Sequence, residues 1–252
     1  MTQTPTDVRS LARLSHWEAM QLQLVEVDRA VAMLSSLSPD DWTARTDCPE
    51  WDVREVYLHV LGACEGSASP FQGMHQLRLG RRYKKRHGGE LQAGMSAVQV
   101  AERQHLSPAD LVEKLAHAGP RAVRRRGKLL GWFRRHMKVS DGGQNVERFT
   151  LGYLVDTIYL RDLWMHRVDA SRATAREMVL TAEHDGRIVA DIVAEWARRH
   201  GQPFTLELIG PAGGRFRGSA GAEPIVMDAV EFCRTVAGRA PGTGLLATTV
   251  PF

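Results

Sequence analysis

The chain has 252 residues, enough to bury a core in one large domain or two small ones. Its hydrophobic (43%) and charged (25%) fractions are those of an ordinary soluble globular protein, and no apolar run reaches the roughly 20 residues of a membrane span. Three cysteines at unrelated spacings (Cys48, Cys64, Cys233) exclude a disulfide framework or a zinc knuckle. With no signal-peptide layout in residues 1–7, the expected location is the cytoplasm and no membrane partner is expected.

The net charge is +4 and the pI about 9.2, with the basic residues gathered in two runs over 78–86 and 121–135. No helix-turn-helix or zinc-finger spacing accompanies either run. They read as solvated helix faces, or as attraction for anionic small molecules, and no specific nucleic-acid partner is expected.

In chain order, Leu11, Leu14, Ala19, Leu22, Val25, Ala30 and Met33 predict a first helix over about residues 7–37. Asp52 with Glu55 three residues later has the form of a capping box, and opens a helix through Val53, Val56, Tyr57 and Val60 to about 67. His59 lies beside that stripe. Residues 71–87 predict another helix, stopped by Gly88-Gly89, and 90–106 are ambiguous. Ser107-Pro108-Ala109-Asp110 starts a basic helix that is expected to break at Gly119-Pro120 and resume to about 138. Ser140-Asp141-Gly142-Gly143 predicts a loop.

A long helix is then expected over 151–170. Leu151, Val155, Ile158, Asp162, Met165 and Asp169 recur at spacings of four and three, which sets Asp162 on an apolar stripe with His166 one turn on. A carboxylate on such a face is costly unless paired or bound to a cation. The two residues are either a satisfied pair in a helical core or two ligands of a metal site that draws its third from another helix. Beyond 171 the pattern changes. Residues 183–200 predict an amphipathic helix ended by Gly201, 204–209 and 215–217 predict strands, and Asp228 caps a helix that Gly238 stops. A last strand is expected over 245–250.

The stretch Cys48-Pro49-Glu50-Trp51-Asp52-Val53-Arg54 with His59, and the stretch Asp162-Leu163-Trp164-Met165-His166-Arg167-Val168-Asp169, together resemble the mycothiol-dependent maleylpyruvate isomerase family. That resemblance implies an α+β fold, with a DinB-like four-helix bundle over 7–172 followed by a small α/β domain over 178–252. It also implies metal ligation by His59, Asp162 and His166, since the family's first motif carries a metal-binding histidine and its second reads Glu-x-x-x-His-Arg-x-Asp. Position 162 departs from the pattern, with Asp where Glu is usual. Asp169 matches the motif's last acid, a cofactor-contacting position. Arg239 resembles a family arginine that reaches toward the metal to meet a substrate carboxylate.

The implied cofactors are Zn²⁺ or another divalent metal, and mycothiol. Two imidazoles and a carboxylate suit an open zinc site, and a thiol bound to such an ion is held as thiolate at neutral pH. The expected activity is cis-trans isomerisation of a maleylpyruvate-like acid, or transfer of the thiol to an electrophile. The partners are then a small-molecule thiol and an anionic or electrophilic substrate. Two other readings stand beside it: a non-catalytic or degenerate metal-binding bundle that binds a small ligand or a protein partner, and a small-molecule carrier.

Overall fold

A capping box decides where the helical bundle begins. Ser15 Oγ accepts from the Glu18 backbone N–H (3.2 Å) while the Glu18 carboxylate accepts from the Ser15 N–H (3.3 Å), so helix α1 spans His16–Ser35. The helix expected from residue 7 is therefore shorter at its start. Thr6–Asp7 is instead a strand, β1, and Val8–Ser10 a 3-10 turn. The computed structural model describes residues 4–140, 148–219 and 224–252. It divides into two units, Ser15–Arg176 on the one hand, and the residues before Ser15 with Glu177–Phe252 on the other. Residues 7–14, expected in the bundle, belong to the second of these.

Within Ser15–Arg176, helix α2 (Val53–Ala68) opens on the expected Asp52–Glu55 capping box. Helix α3 (Pro70–His87) follows at once, and the ambiguous stretch after it forms helix α4 (Leu91–Ala101). These two pack backbone to backbone. A Cβ on Gly94 would lie 2.7 Å from Gly80 O, closer than any side chain allows. That contact fixes the faces of α3 and α4 turned toward α2, and with them Gln76 and Gln99.

Helix α5 (Pro108–Gly127) runs unbroken through Pro120. An interior proline costs about 3 kcal/mol. Leu111 and Leu115 are fully buried on one side of it and Ala122 and Val123 on the other. At about 1.5–3 kcal/mol for each large side chain, that burial outweighs the proline. Gly119 lets the helix approach α1, where a Cβ would stand 2.5 Å from Val27 Cγ1. The expected continuation to 138 is replaced by a separate short helix, α6 (Gly131–His136), and a two-stranded antiparallel ladder of β2 (Lys138–Ser140) with β3 (Arg148–Thr150). Residues 141–143 of the expected loop lie outside the described residues.

The long helix predicted over 151–170 is three pieces in one run: α7 (Leu151–Tyr153), a π turn (Leu154–Ile158) and α8 (Tyr159–Thr174). The π turn adds a residue and shifts the phase of everything before it. The single stripe from Leu151 to Asp169 is therefore not continuous, and the Asp162 side chain is 29% exposed. Helices α1, α2, α5 and α8 form the four-helix bundle, around Val27, Leu34, Tyr57, Leu61, Leu115 and Leu163.

The second unit holds helix α9 (Asp185–His200), strands β4 (Thr205–Ile209), β5 (Gly214–Arg217) and β6 (Pro224–Asp228), and helix α10 (Ala229–Val236). The sheet order is β1-β5-β4-β6, with β4 antiparallel to β5 and parallel to β6. Leu206 and Leu208 alternate inward, as the period of two requires, and Trp196 meets Phe204 and Phe232 edge-on. Strand β6 had no signal in the sequence, whereas the strand expected over 245–250 is absent: Gly244–Ala247 is a 3-10 turn whose Leu245 O accepts from Trp196 Nε1. The class is α+β, a helical bundle with a small α/β unit.

Candidate metal centre

His59 faces inward from α2, 6% exposed. A directed chain of amides sets its tautomer. Gly62 O, which can only accept, takes a bond from Gln76 Nε2 (2.8 Å); Gln76 Oε1 takes one from Gln99 Nε2 (2.9 Å); Gln99 Oε1 then faces His59 Nδ1 at 2.8 Å. Because the first member is a carbonyl, every later member has its sense fixed, and His59 Nδ1 must carry the proton. Its Nε2 is left with a lone pair. Trp51, before the helix, stacks on the same ring at 5.2 Å.

His166 stands opposite on α8, its ring edge-on to that of His59 at 5.5 Å. His166 Nδ1 bonds Asp169 Oδ2 at 3.1 Å, and Cys48 Sγ donates to the same oxygen at 3.6 Å. Asp169 is wholly buried, so its carboxylate faces the imidazole and the thiol rather than solvent. His166 Nε2 is buried without a hydrogen bond. Asp162 Oδ1 lies 3.3 Å from it, within ion-pair distance but not in hydrogen-bonding geometry.

The two imidazoles titrate in opposite directions. Burial pushes His59 down to about 4, with Asp162 working against the shift and His166 adding to it. Burial also disfavours the charged form of His166, but the carboxylates of Asp162 and Asp169 outweigh it and raise its pKa well above the ordinary value. The pair of acids thus favours positive charge at His166, while His59 stays a neutral donor.

The structure brings three of the sequence-derived residues together: His59, Asp162 and His166 each offer a ligand atom within 4.8 Å of the others. In a tetrahedral zinc site with bonds of about 2.0–2.1 Å, ligand atoms stand about 3.4 Å apart, close to the separation of Asp162 Oδ1 and His166 Nε2. The orphaned Nε2 of His166 and the freed Nε2 of His59 are both donors that a divalent ion would satisfy. The residues fit such an ion. Asp169, expected at a cofactor, sits behind His166 as the carboxylate that orients it. Arg239 belongs to the other unit, just past α10, where its backbone N–H donates to Arg234 O. Sequence reading missed Gln99 and Gln76, which no motif marks, while Trp51 packs against the bundle core and also lays its ring on His59.

Residues 24–171 match the family model described as the mycothiol maleylpyruvate isomerase N-terminal domain. Among solved structures, that of the mycothiol-dependent maleylpyruvate isomerase is similar at a TM-score of 0.57 and 15% identity, over 93% of this chain and 92% of that one. A mutant of the mycothiol-dependent maleylpyruvate isomerase with one histidine changed to alanine is similar at a TM-score of 0.56 and 16% identity, with the same coverage. At such identity the likeness is one of fold. No curated protein matches the chain.

Proposed function

The chain belongs to the mycothiol maleylpyruvate isomerase N-terminal domain family, and from that membership we propose that it is a metal-dependent enzyme acting with a low-molecular-weight thiol, mycothiol in the first place. The reaction is cis-trans isomerisation of a maleylpyruvate-like acid or thiol transfer to an electrophile. The observation that carries the proposal is the convergence of His59, Asp162 and His166 with both Nε2 atoms left free by partners at Nδ1.

His59, Asp162 and His166 hold the ion, and Zn²⁺ suits two imidazoles and one carboxylate. When bound, that ion lowers the pKa of a coordinated thiol so that it is a thiolate at neutral pH. Gln99 and Asp169 orient the two rings, and Trp51 keeps water from one face of His59. Asp162 in place of the family's usual glutamate keeps the site compact, because its Oδ1 already reaches His166.

The test is elemental analysis joined to turnover. Protein purified without chelator carries about one divalent ion per chain, at an open three-ligand site. His59→Ala loses the ion, and thiol-dependent turnover of a cis-enoate or electrophile with it. Protein that neither carries nor takes up stoichiometric metal on dialysis overturns the proposal.

A further inference from the structure

Helix α1 holds two buried arginines, and treats them differently. Glu26 takes Arg167 in a two-point ion pair, at 3.0 Å to Nε and 2.8 Å to Nη2. One turn earlier on the same face, Gln23 takes Arg126 with Oε1, at 2.7 Å from Nη1. The sense of that amide is fixed, since Gln23 Nε2 donates to Val155 O (2.7 Å) in the π turn. Arg126 is 5% exposed, and lies over the Tyr159 ring at 4.7 Å. Its Nε makes a long bond to Ala122 O (3.4 Å). Among the described residues, no carboxylate lies within ion-pair distance of it.

A buried guanidinium without a counter-ion is costly. The same helix shows how this fold pairs an arginine with an acid. At position 23 the partner is an amide, which positions the charge without neutralising it. Arg126 also lines a small pocket with Cys64, Ser67, Tyr159 and Asp162. Arg126 thus borders the same small space as Asp162, a residue of the candidate metal centre.

We propose that Arg126 is a specificity-determining residue that receives a carboxylate of an anionic substrate beside Asp162, with Gln23 as its positioning residue. The proposal rests on the reading of His59, Asp162 and His166 as the reaction centre. The planar fork of a guanidinium matches a carboxylate in two bonds, where an ammonium would offer a point charge. The ligand completes the ion pair that α1 leaves open.

The experiment is calorimetric titration of the intact protein with succinate, a small dicarboxylate, alongside metal content and thermal midpoint. Arg126→Met weakens succinate binding by about tenfold or more, the loss expected for a charge-assisted hydrogen bond. Gln23→Glu is the informative variant. It gives Arg126 an internal carboxylate, so it weakens succinate binding by a similar factor with metal content unchanged, while loss of the Nε2 donor to Val155 O lowers the thermal midpoint. If Arg126 were purely structural, a carboxylate at position 23 would leave succinate binding where it is. Wild-type protein that ignores millimolar succinate, or a Gln23→Glu variant that binds it as well as wild type, overturns the proposal. Wild-type protein that binds succinate through Arg126 but takes up no metal overturns the reading of the centre and leaves the anion site standing.

Discussion

Glu26 and Arg167 join α1 to α8 through two parallel hydrogen bonds, with both side chains out of water and Arg167 next in sequence to His166. The pair fixes where α8 sits against the bundle, and so where His166 points.

Breaking it from one side leaves the other charge buried alone. Arg167→Met is expected to cost about 3–5 kcal/mol of stability. The double variant Arg167→Met with Glu26→Leu removes both charges and recovers much of that loss. Urea unfolding of the single and double variants checks this, and equal losses in the two would show that the ion pair is not what the single variant breaks.

Gln99 touches no ion, yet His59 depends on it for its tautomer. Gln99→Leu keeps the side-chain volume and removes the acceptor at Nδ1. Metal affinity is expected to fall about 10–100-fold, the usual cost of losing such an outer partner. Competition with a chromophoric chelator measures it. Affinity equal to wild type would mean that the glutamine chain is packing alone.

Asp162→Glu lengthens a side chain that is 29% exposed and borders a pocket, so the extra methylene has somewhere to go. The variant is expected to retain its metal, with affinity within about tenfold of wild type, and to keep or raise turnover. Cys48→Ala should leave most turnover intact, because the Cys48 thiol donates to Asp169 behind His166. Turnover that disappears with Cys48→Ala and persists without added thiol would place the nucleophile on the protein.

Asp41 ties the end of α8 to the chain before α2. It accepts from the Ser38 N–H at 2.7 Å and from Arg176 at 2.9 and 2.6 Å, and these bonds hold its carboxyl below the ordinary value of 3.8. A depressed folded-state pKa gives stability that is present above the unfolded value and is lost as pH falls through the folded one. Asp41→Asn should therefore be less stable than wild type at neutral pH, with the gap closing below about pH 4. A gap that stays constant into acid would assign the loss to geometry and not to charge.

The bundle was legible where local chemistry marks it. The boxes at Asp52–Glu55 and Ser107–Asp110 start helices where the sequence says they should, while the equivalent signal at Ser15–Glu18 was masked by Leu11 and Leu14, which continue the spacing of Ala19 and Leu22. His59, Asp162 and His166 could be read because a motif carries them. Gln99 could not. Its role comes from a partner 40 residues away, and an amide on a helix of ambiguous pattern has no signature. The π turn was hidden for a different reason: one added residue leaves an apolar pattern looking continuous, although its phase has slipped.

Strand β1 covers the edge of the sheet, pairing Thr6 with Phe216 and Asp7 with Arg217. The sheet thereby draws on chain from both sides of the bundle in sequence. All of Ser15–Arg176 is translated between the two halves of that pairing, so β1 waits, without its partner, until β5 has left the ribosome. No single cut releases the second unit whole. A fragment beginning at Glu177 would carry an open edge at β5, and a fragment ending at Arg176 would carry a strand with nothing to pair with.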